Sequence, residues 1–400
     1  MFNKEAMFFH RVTGKKVAQM ACSNNATWYL TTSGDLYGCG DNSSGQQGSG
    51  DTTNVLTFAK RASNVAQVAC SNNATWYLTT SGDLYGCGNN SSGQQGSGDT
   101  TNVLTFAKRA SNVAQVACSS YTTWYLTTDG NLYGCGSNSS GQQGSGDTTN
   151  ILTFTKRASN VAQVACYGDT TWYLTTNGDL YGCGFNPSGQ QGNGDTTNVL
   201  TFAKRASNVA QVAGSSYTTW YLATNGDLYG CGKNVDGQQG VGSNSVSLSP
   251  FAKRASSVAQ MACSDNTTWY LTTSGDLYGC GRGNYGQQGS GETIYVLNIF
   301  TKRASSVAQV ACSLDTTWYL TTSGDLYGCG NNSSGQQGSG DTTNVLTFAK
   351  RASNVAQVAC SNNTTWYLTT NGDLYGCGSG SYGVQGGGAT SNVTTFTKRN

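Results

Sequence analysis

Proline and charge are scarce in this chain: 400 residues hold 2 Pro, and Asp, Glu, Lys and Arg together make up 10%. Histidine is scarcer still, with His10 the only one. Without further His, no Ser/His/Asp or Cys/His set for nucleophilic catalysis can be assembled. No CxxC pair occurs, so a zinc site has no support. No G-x-x-x-x-G-K phosphate loop is present either. No apolar run approaches the roughly 18 residues of a membrane span. The net charge is +2, with no basic tail and no acidic run, so nothing in it points to nucleic acid. The start, Met1 to His10, has no long apolar core of the secretory type. These absences lead us to expect a cytoplasmic monomer that is not an enzyme, uses no cofactor or metal, and binds neither nucleic acid nor membrane.

What is present is repetition. Trp28, Trp76, Trp124, Trp172, Trp220, Trp269, Trp318 and Trp366 stand 48, 48, 48, 48, 49, 49 and 48 residues apart. The pentapeptide Leu36-Tyr37-Gly38-Cys39-Gly40 recurs at the same interval through to Leu374-Tyr375-Gly376-Cys377-Gly378. A fixed period of this size signals a solenoid, propeller or array. The units divide the chain into a lead-in, 1–15, and a single domain, 16–400.

The second unit serves as the pattern. Val65-Ala66-Gln67-Val68-Ala69-Cys70 reads as strand A and Thr75-Trp76-Tyr77-Leu78-Thr79-Thr80 as strand B, rich in β-branched and aromatic residues. Ser81-Gly82-Asp83 supplies a hairpin turn, and Leu84-Tyr85-Gly86-Cys87-Gly88 is strand C. A long Asn/Ser/Gly/Gln loop over 89–101 precedes strand D, Leu104-Thr105-Phe106-Ala107-Lys108. Trp76 and Leu78 share one face of strand B and Tyr77 takes the other, so both faces call for burial. A blade packed between two neighbours satisfies that. The predicted fold is all-β: a closed β-propeller of eight four-stranded blades. We expect a closing blade built from both termini, N-terminal strands A and B completing C-terminal strands C and D. Phe8-Phe9-His10-Arg11 offers a degenerate further strand D.

Fifteen Cys follow the repeat, one ending strand A and one in strand C, with Gly214 replacing the former in the fifth unit. In a meander these two strands are separated by a third. About 9–10 Å then parts them, beyond disulfide reach. Small buried packing residues in a reducing compartment are expected.

The motif Val65-Ala66-Gln67-Val68-Ala69-Cys70-Ser71, then Gly82-Asp83-Leu84-Tyr85-Gly86-Cys87-Gly88-Asn89 and Gly93-Gln94-Gln95-Gly96, resembles the regulator-of-chromosome-condensation repeat. The resemblance spans essentially the whole chain. It departs from the family pattern at Ser71 for Gly, at Ala74 or Thr for His, and at Gln95 for Leu. It implies a β-propeller, usually of seven blades in that family, which leaves seven as the alternative to eight. Family members include guanine-nucleotide exchange factors, photoreceptors and bacterial protein inhibitors, with a propeller face used to bind a protein. The photoreceptor role needs interface Trp clusters ringed by Arg, and here Trp and Arg lie on different strands.

The units differ from one another mainly in two loops, A–B and the one after Gly-Cys-Gly. Both follow strands running the same way, which puts them on one face and the constant Ser/Asn-Gly turns on the other. Variation concentrates in units three to six and supplies Tyr121, Tyr167, Asp169, Phe185, Tyr217, Lys233, Asp236, Arg282 and Tyr285. Aromatic anchors among adaptable polar residues characterise protein-binding loops. These nine residues are the candidate partner site, with neutral drift in exposed loops as the competing explanation. Glu292, Tyr295 and Ile299 mark a further change before strand D. The recurring Lys-Arg of strand D reads as edge protection, or else as a basic ring for an acidic partner. Asn90-Ser91-Ser92 and its like have the sequon pattern, as chance allows in so Asn/Ser/Thr-rich a chain. The expected function is a protein-binding scaffold. The alternatives are a structural or self-assembling repeat protein, a glycan-binding propeller, and an exchange-factor-like regulator.

Overall fold

The structure, a computed structural model, describes residues 16–400. It contains eight four-stranded antiparallel sheets, each made of consecutive strands. Blades 1 to 8 occupy 17–62, 65–110, 113–158, 161–206, 209–255, 258–304, 307–352 and 355–398. The propeller therefore has eight blades, as the repeat count requires. In blade 2 the strands are Val65–Cys70, Ala74–Thr79, Leu84–Gly88 and Val103–Ala110. Strand D runs longer than its sequence suggests, because Lys108 and Ala110 still pair with Tyr85 and Leu84. Among the described residues the one helical element is the single 3-10 turn Ser381–Gly383.

Closure differs from the expected mixed blade. Blade 8 is complete with Val393–Lys398 as its strand D, and blade 1 has its own four strands. The ring closes by packing blade 8 against blade 1. Trp366, Leu368 and Leu374 share a core with Val17, Met20 and Tyr29. The Cys39 thiol donates to the Val384 carbonyl at 3.4 Å, as Cys87 does to Gln46 between blades 1 and 2. The last interface thus repeats the internal ones, and no strand exchange is needed. Phe8-Phe9-His10-Arg11 lies outside the described residues.

Each interface is an aromatic relay. Trp76 of blade 2 meets Phe154 on strand D of blade 3 edge-on, centroids 5.9 Å apart. Phe154 in turn packs on Tyr125 of its own blade at 4.8 Å, and Tyr125 stacks on Tyr133 at 5.0 Å. The eight Trp are wholly buried. Such ring pairs add about 0.5–1.5 kcal/mol beyond the area they bury. The strand-C glycine is required by the indole: a Cβ on Gly86 would stand 2.4 Å from Trp76 Cζ3.

The long loop is ordered by its own buried amides. Asn90 donates to Ser97 Oγ (2.9 Å) and Asp99 O (2.9 Å) and accepts from Gln95 N at 2.8 Å. Gln95, which replaces the family Leu, donates from Nε2 to Cys87 O at 2.8 Å and is itself fully buried. Asn90 is 0% exposed, so its sequon is closed in the folded chain. The strand-D lysine is engaged too. Lys108 pairs with Asp83 of the same blade at 2.8 Å, and seven blades share this bridge. Blade 3 has Asn131 at that position, and its Lys156 acts on Asp129 instead. Arg109 is half-buried beside Cys135 of the next blade. The lysines therefore tie strand D to the C-strand hairpin of their own blade, and the arginines lie against the next blade.

Candidate functional site: the loop face over blades 4 to 6

Hydrogen bonds place both variable loops on one face. The loop after strand C begins with Asn89, whose N–H donates to Asn73 O of the A–B loop at 2.8 Å. On the opposite face Val113 N donates to Gly82 O at 2.9 Å, and Ser111 Oγ bonds Asp83 at 2.7 Å, tying the hairpin turn to the D–A turn.

The residue after Gly-Cys-Gly in one blade faces the third A–B loop residue of the next blade. Most blades put small polar residues there. In blades 4 to 7 the substituted residues meet each other. Phe185 of blade 4 meets Tyr217 of blade 5 edge-on at 6.4 Å. Lys233 of blade 5 lies 6.0 Å from the Tyr217 ring centre and 3.5 Å from Asn266 Oδ1 of blade 6. It also bridges to Asp236 at 2.8 Å, a pair that is mostly shielded from water. Arg282 of blade 6 acts on Asp315 of blade 7, whose carboxyl burial pushes up and Arg282 pulls down. Phe185, Tyr217, Lys233 and Asp236 therefore form one contiguous cluster.

The other candidates fall around it. Tyr121 is exposed, 48%, on the A–B loop of blade 3, and Tyr285 is half-buried in blade 6. Among the described residues no ring contact joins either to the cluster. Asp169 accepts from Gln142 Nε2 at 3.1 Å, and burial pushes its carboxyl above the usual carboxylate range. Tyr167 is not a loop residue. It ends strand A of blade 4 (Val161–Tyr167), and its ring packs inward against blade 5, the hydroxyl donating to Val212 O at 3.4 Å. The sequence shows a Tyr for Ser71; it does not show that Gly214 leaves room for the ring.

Strand A lines the axial channel. Cys22, Cys70, Cys118, Cys166 and Cys360, with Ser23, Ser71, Ser119 and Ser361, surround a cavity of about 380 Å³ at its loop-face mouth. All fifteen Cys are free. Burial raises their thiols, Cys22 to about 11. Among the described residues no group of three or more His, Cys, Asp and Glu is arranged to hold a metal ion. No helix among them is long and apolar enough to cross a membrane.

The fold defines the class: a closed eight-bladed β-propeller made from one four-stranded unit. Residues 17–46, 65–94, 113–142, 161–190, 258–287, 307–336 and 355–384 match the regulator of chromosome condensation (RCC1) repeat, and the chain belongs to that family. The matches pass over blade 5, which carries Gly214, Lys233 and Asp236. Human WBSCR16 is similar over 84% of this chain and 100% of its own, at 21% identity and TM-score 0.67. Prp20p from Saccharomyces cerevisiae is similar over 84% of this chain and 91% of its own, at 17% identity and TM-score 0.64. Yeast RCC1 (Prp20) bound to Kap60 gives 18% identity, 80% and 83% coverage and TM-score 0.63. At these identities the likeness shows the fold. No curated protein sequence matches the chain.

Proposed function

We propose that the chain is a protein-binding propeller whose partner surface is the loop face over blades 4 to 6, with no catalytic step of its own. One observation carries the reading. Among the described residues of a ring of near-identical blades, Phe185, Tyr217, Lys233 and Asp236 form a mixed aromatic and charged cluster across a blade boundary. Aromatic anchors beside a fixed charge are what protein interfaces use as energetic centres. Drift in independent loops gives no reason for aromatic and charged residues to arise together at these facing positions. The solved relatives agree in kind: Prp20p is described for its binding to Gsp1p and histones, and yeast RCC1 is seen bound to Kap60. A regulator of that general sort suits a soluble scaffold with one distinctive sector.

The test is Phe185→Ala, Tyr217→Ala and Tyr285→Ala, singly and together, followed by affinity capture from the native source. Loss of a specific band with the first two variants supports the reading. Recovery of the same partners by every variant and the parent overturns it.

A further inference from the structure

Nine large apolar side chains are exposed among the described residues, and six of them lie in blades 5 and 6: Tyr217, Val235, Val241, Val246, Tyr295 and Ile299. The last four follow from a local change at the outer rim. In most blades the long loop touches strand D of the next blade through a Ser–Thr bridge, as Ser97↔Thr153 and Ser145↔Thr201 do. Between blades 5 and 6 that bridge is Val241↔Ile299. Val246 and Tyr295 both stand where blade 2 has Thr101, and they are 78% and 68% exposed.

Charge leaves the blade 5 loop, while blade 6 keeps Glu292 at the equivalent position. Asp99 of blade 2 accepts from Ser97 Oγ at 2.9 Å and Thr101 N at 3.1 Å. Blade 5 has Ser243 there, and its chain from 237 to 252 carries no charged residue. Strand D of blade 6, Ile294–Ala304, is 11 residues long against 8 in blade 2. Tyr295 and Ile299 are its exposed apolar residues, about 13 Å apart along the strand, with Leu297 half-buried between them. Exposed edge strands are ordinarily guarded by charge or proline; strand D has neither before its lysine in blade 2 or blade 6, but blade 6 exposes Tyr295 and Ile299 where blade 2 has Thr101 and Thr105.

We propose that this rim is a docking strip for a short, extended, uncharged segment of a protein partner, its apolar side chains laid along strand D of blade 6. The inference rests on the reading that this sector meets a protein, and adds the chemistry of the segment it takes. A strip one strand wide is far smaller than the ~800 Å² per partner of a stable dimer, which favours a segment over a second copy. Side-chain docking rather than strand pairing holds the segment there, since Asn298 O already accepts from Gly242 N at 2.7 Å. The strip is continuous with the loop-face cluster, since Asn234 N, adjoining Lys233, donates to Val246 O at 3.2 Å.

The deciding variant restores what other blades carry: Val241→Ser, Val246→Thr, Tyr295→Thr and Ile299→Thr together. Blade 2 folds with those residues, so the variant has a built-in precedent for stability. The purified parent is screened against random linear peptides. Uncharged apolar peptides should be enriched, and the rim variant should bind them about tenfold or more weakly. A loop-face variant, Phe185→Asn with Tyr217→Asn, should bind the same peptides as the parent does. No enrichment, enrichment of charged peptides, or equal binding by parent and rim variant overturns the proposal. So does a concentration-dependent dimer in light scattering that the rim variant abolishes, because the occupant is then a second copy. If the loop-face variant loses protein capture while peptides still bind the rim, the two readings separate cleanly.

Discussion

Tyr167 of blade 4 fills the space that Gly214 of blade 5 leaves at the channel wall. A Cβ on Gly214 would stand 2.9 Å from Tyr167 Cδ2 and 2.8 Å from Thr218 O. Every other blade has Cys at the Gly214 position. The two departures from the repeat are therefore sterically complementary, the large residue occupying the room beside the small one. Restoring the repeat residue alone, Gly214→Cys, should destabilise the protein by about 1–3 kcal/mol through overpacking. Adding Tyr167→Ser should recover most of the loss. Urea midpoints of the parent, both single variants and the double variant measure the coupling; simple additivity would refute it.

Asn90 is the hub of the long loop in blade 2. Removing it strands the N–H of Gln95 and frees Ser97 and Asp99, whose partner it was. Asn90→Ala should cost about 1–3 kcal/mol, the penalty for a buried unsatisfied polar group. Asn89→Ala, one residue earlier and partly exposed, should cost clearly less. Hydrogen exchange over 89–101 would show the loop opening in the first variant and not in the second.

Asp169 gives a pH signature. Burial raises its carboxyl in the folded state, so the fold holds that proton more tightly than the unfolded chain does. The associated stability is complete below the unfolded value of about 4 and is lost as pH rises through the raised folded value. Asp169→Asn should flatten that part of the stability curve and leave the variant the more stable one at neutral pH. Denaturation midpoints across mildly acidic pH measure it; a parallel shift of the whole curve would contradict it.

The thiols of strand C are sealed. Cys39, Cys87 and their equivalents are fully buried, and burial holds Cys87 well above the usual thiol range. Since the thiolate is the reactive form, maleimide at neutral pH should leave these cysteines unlabelled in native protein and label them after unfolding in urea. Peptide mass spectrometry resolves the sites. The strand-A thiols Cys22, Cys70 and Cys118, which line the open channel mouth, should react first.

Much of this protein was legible in its residues. Two-faced strand B foretold the sandwiched blade, because Trp76 and Leu78 on one side and Tyr77 on the other cannot all be buried by one neighbour. Period and turn chemistry gave strands A to C nearly to the residue. The shared face of the two variable loops followed from strand direction alone. Other features were not legible, because they depend on contacts between residues well separated in the chain. The sequence suggested that a blade would be shared between the termini; packing of Trp366 on Phe58 at 6.1 Å closes the ring without that. Lys108 looked like edge protection or a basic ring, and its bridge to Asp83 appears only once strands C and D pair.

The repeat itself determined the architecture, eight copies of a strand pattern whose aromatic residues need neighbours on both sides. Only the tertiary structure decided which lapses in the repeat touch one another. Phe185 and Tyr217 lie 32 positions apart in the chain, and nothing in that spacing marks them as neighbours. They meet because the loop after strand C of one blade leans on the A–B loop of the next, which brings these two substitutions into contact.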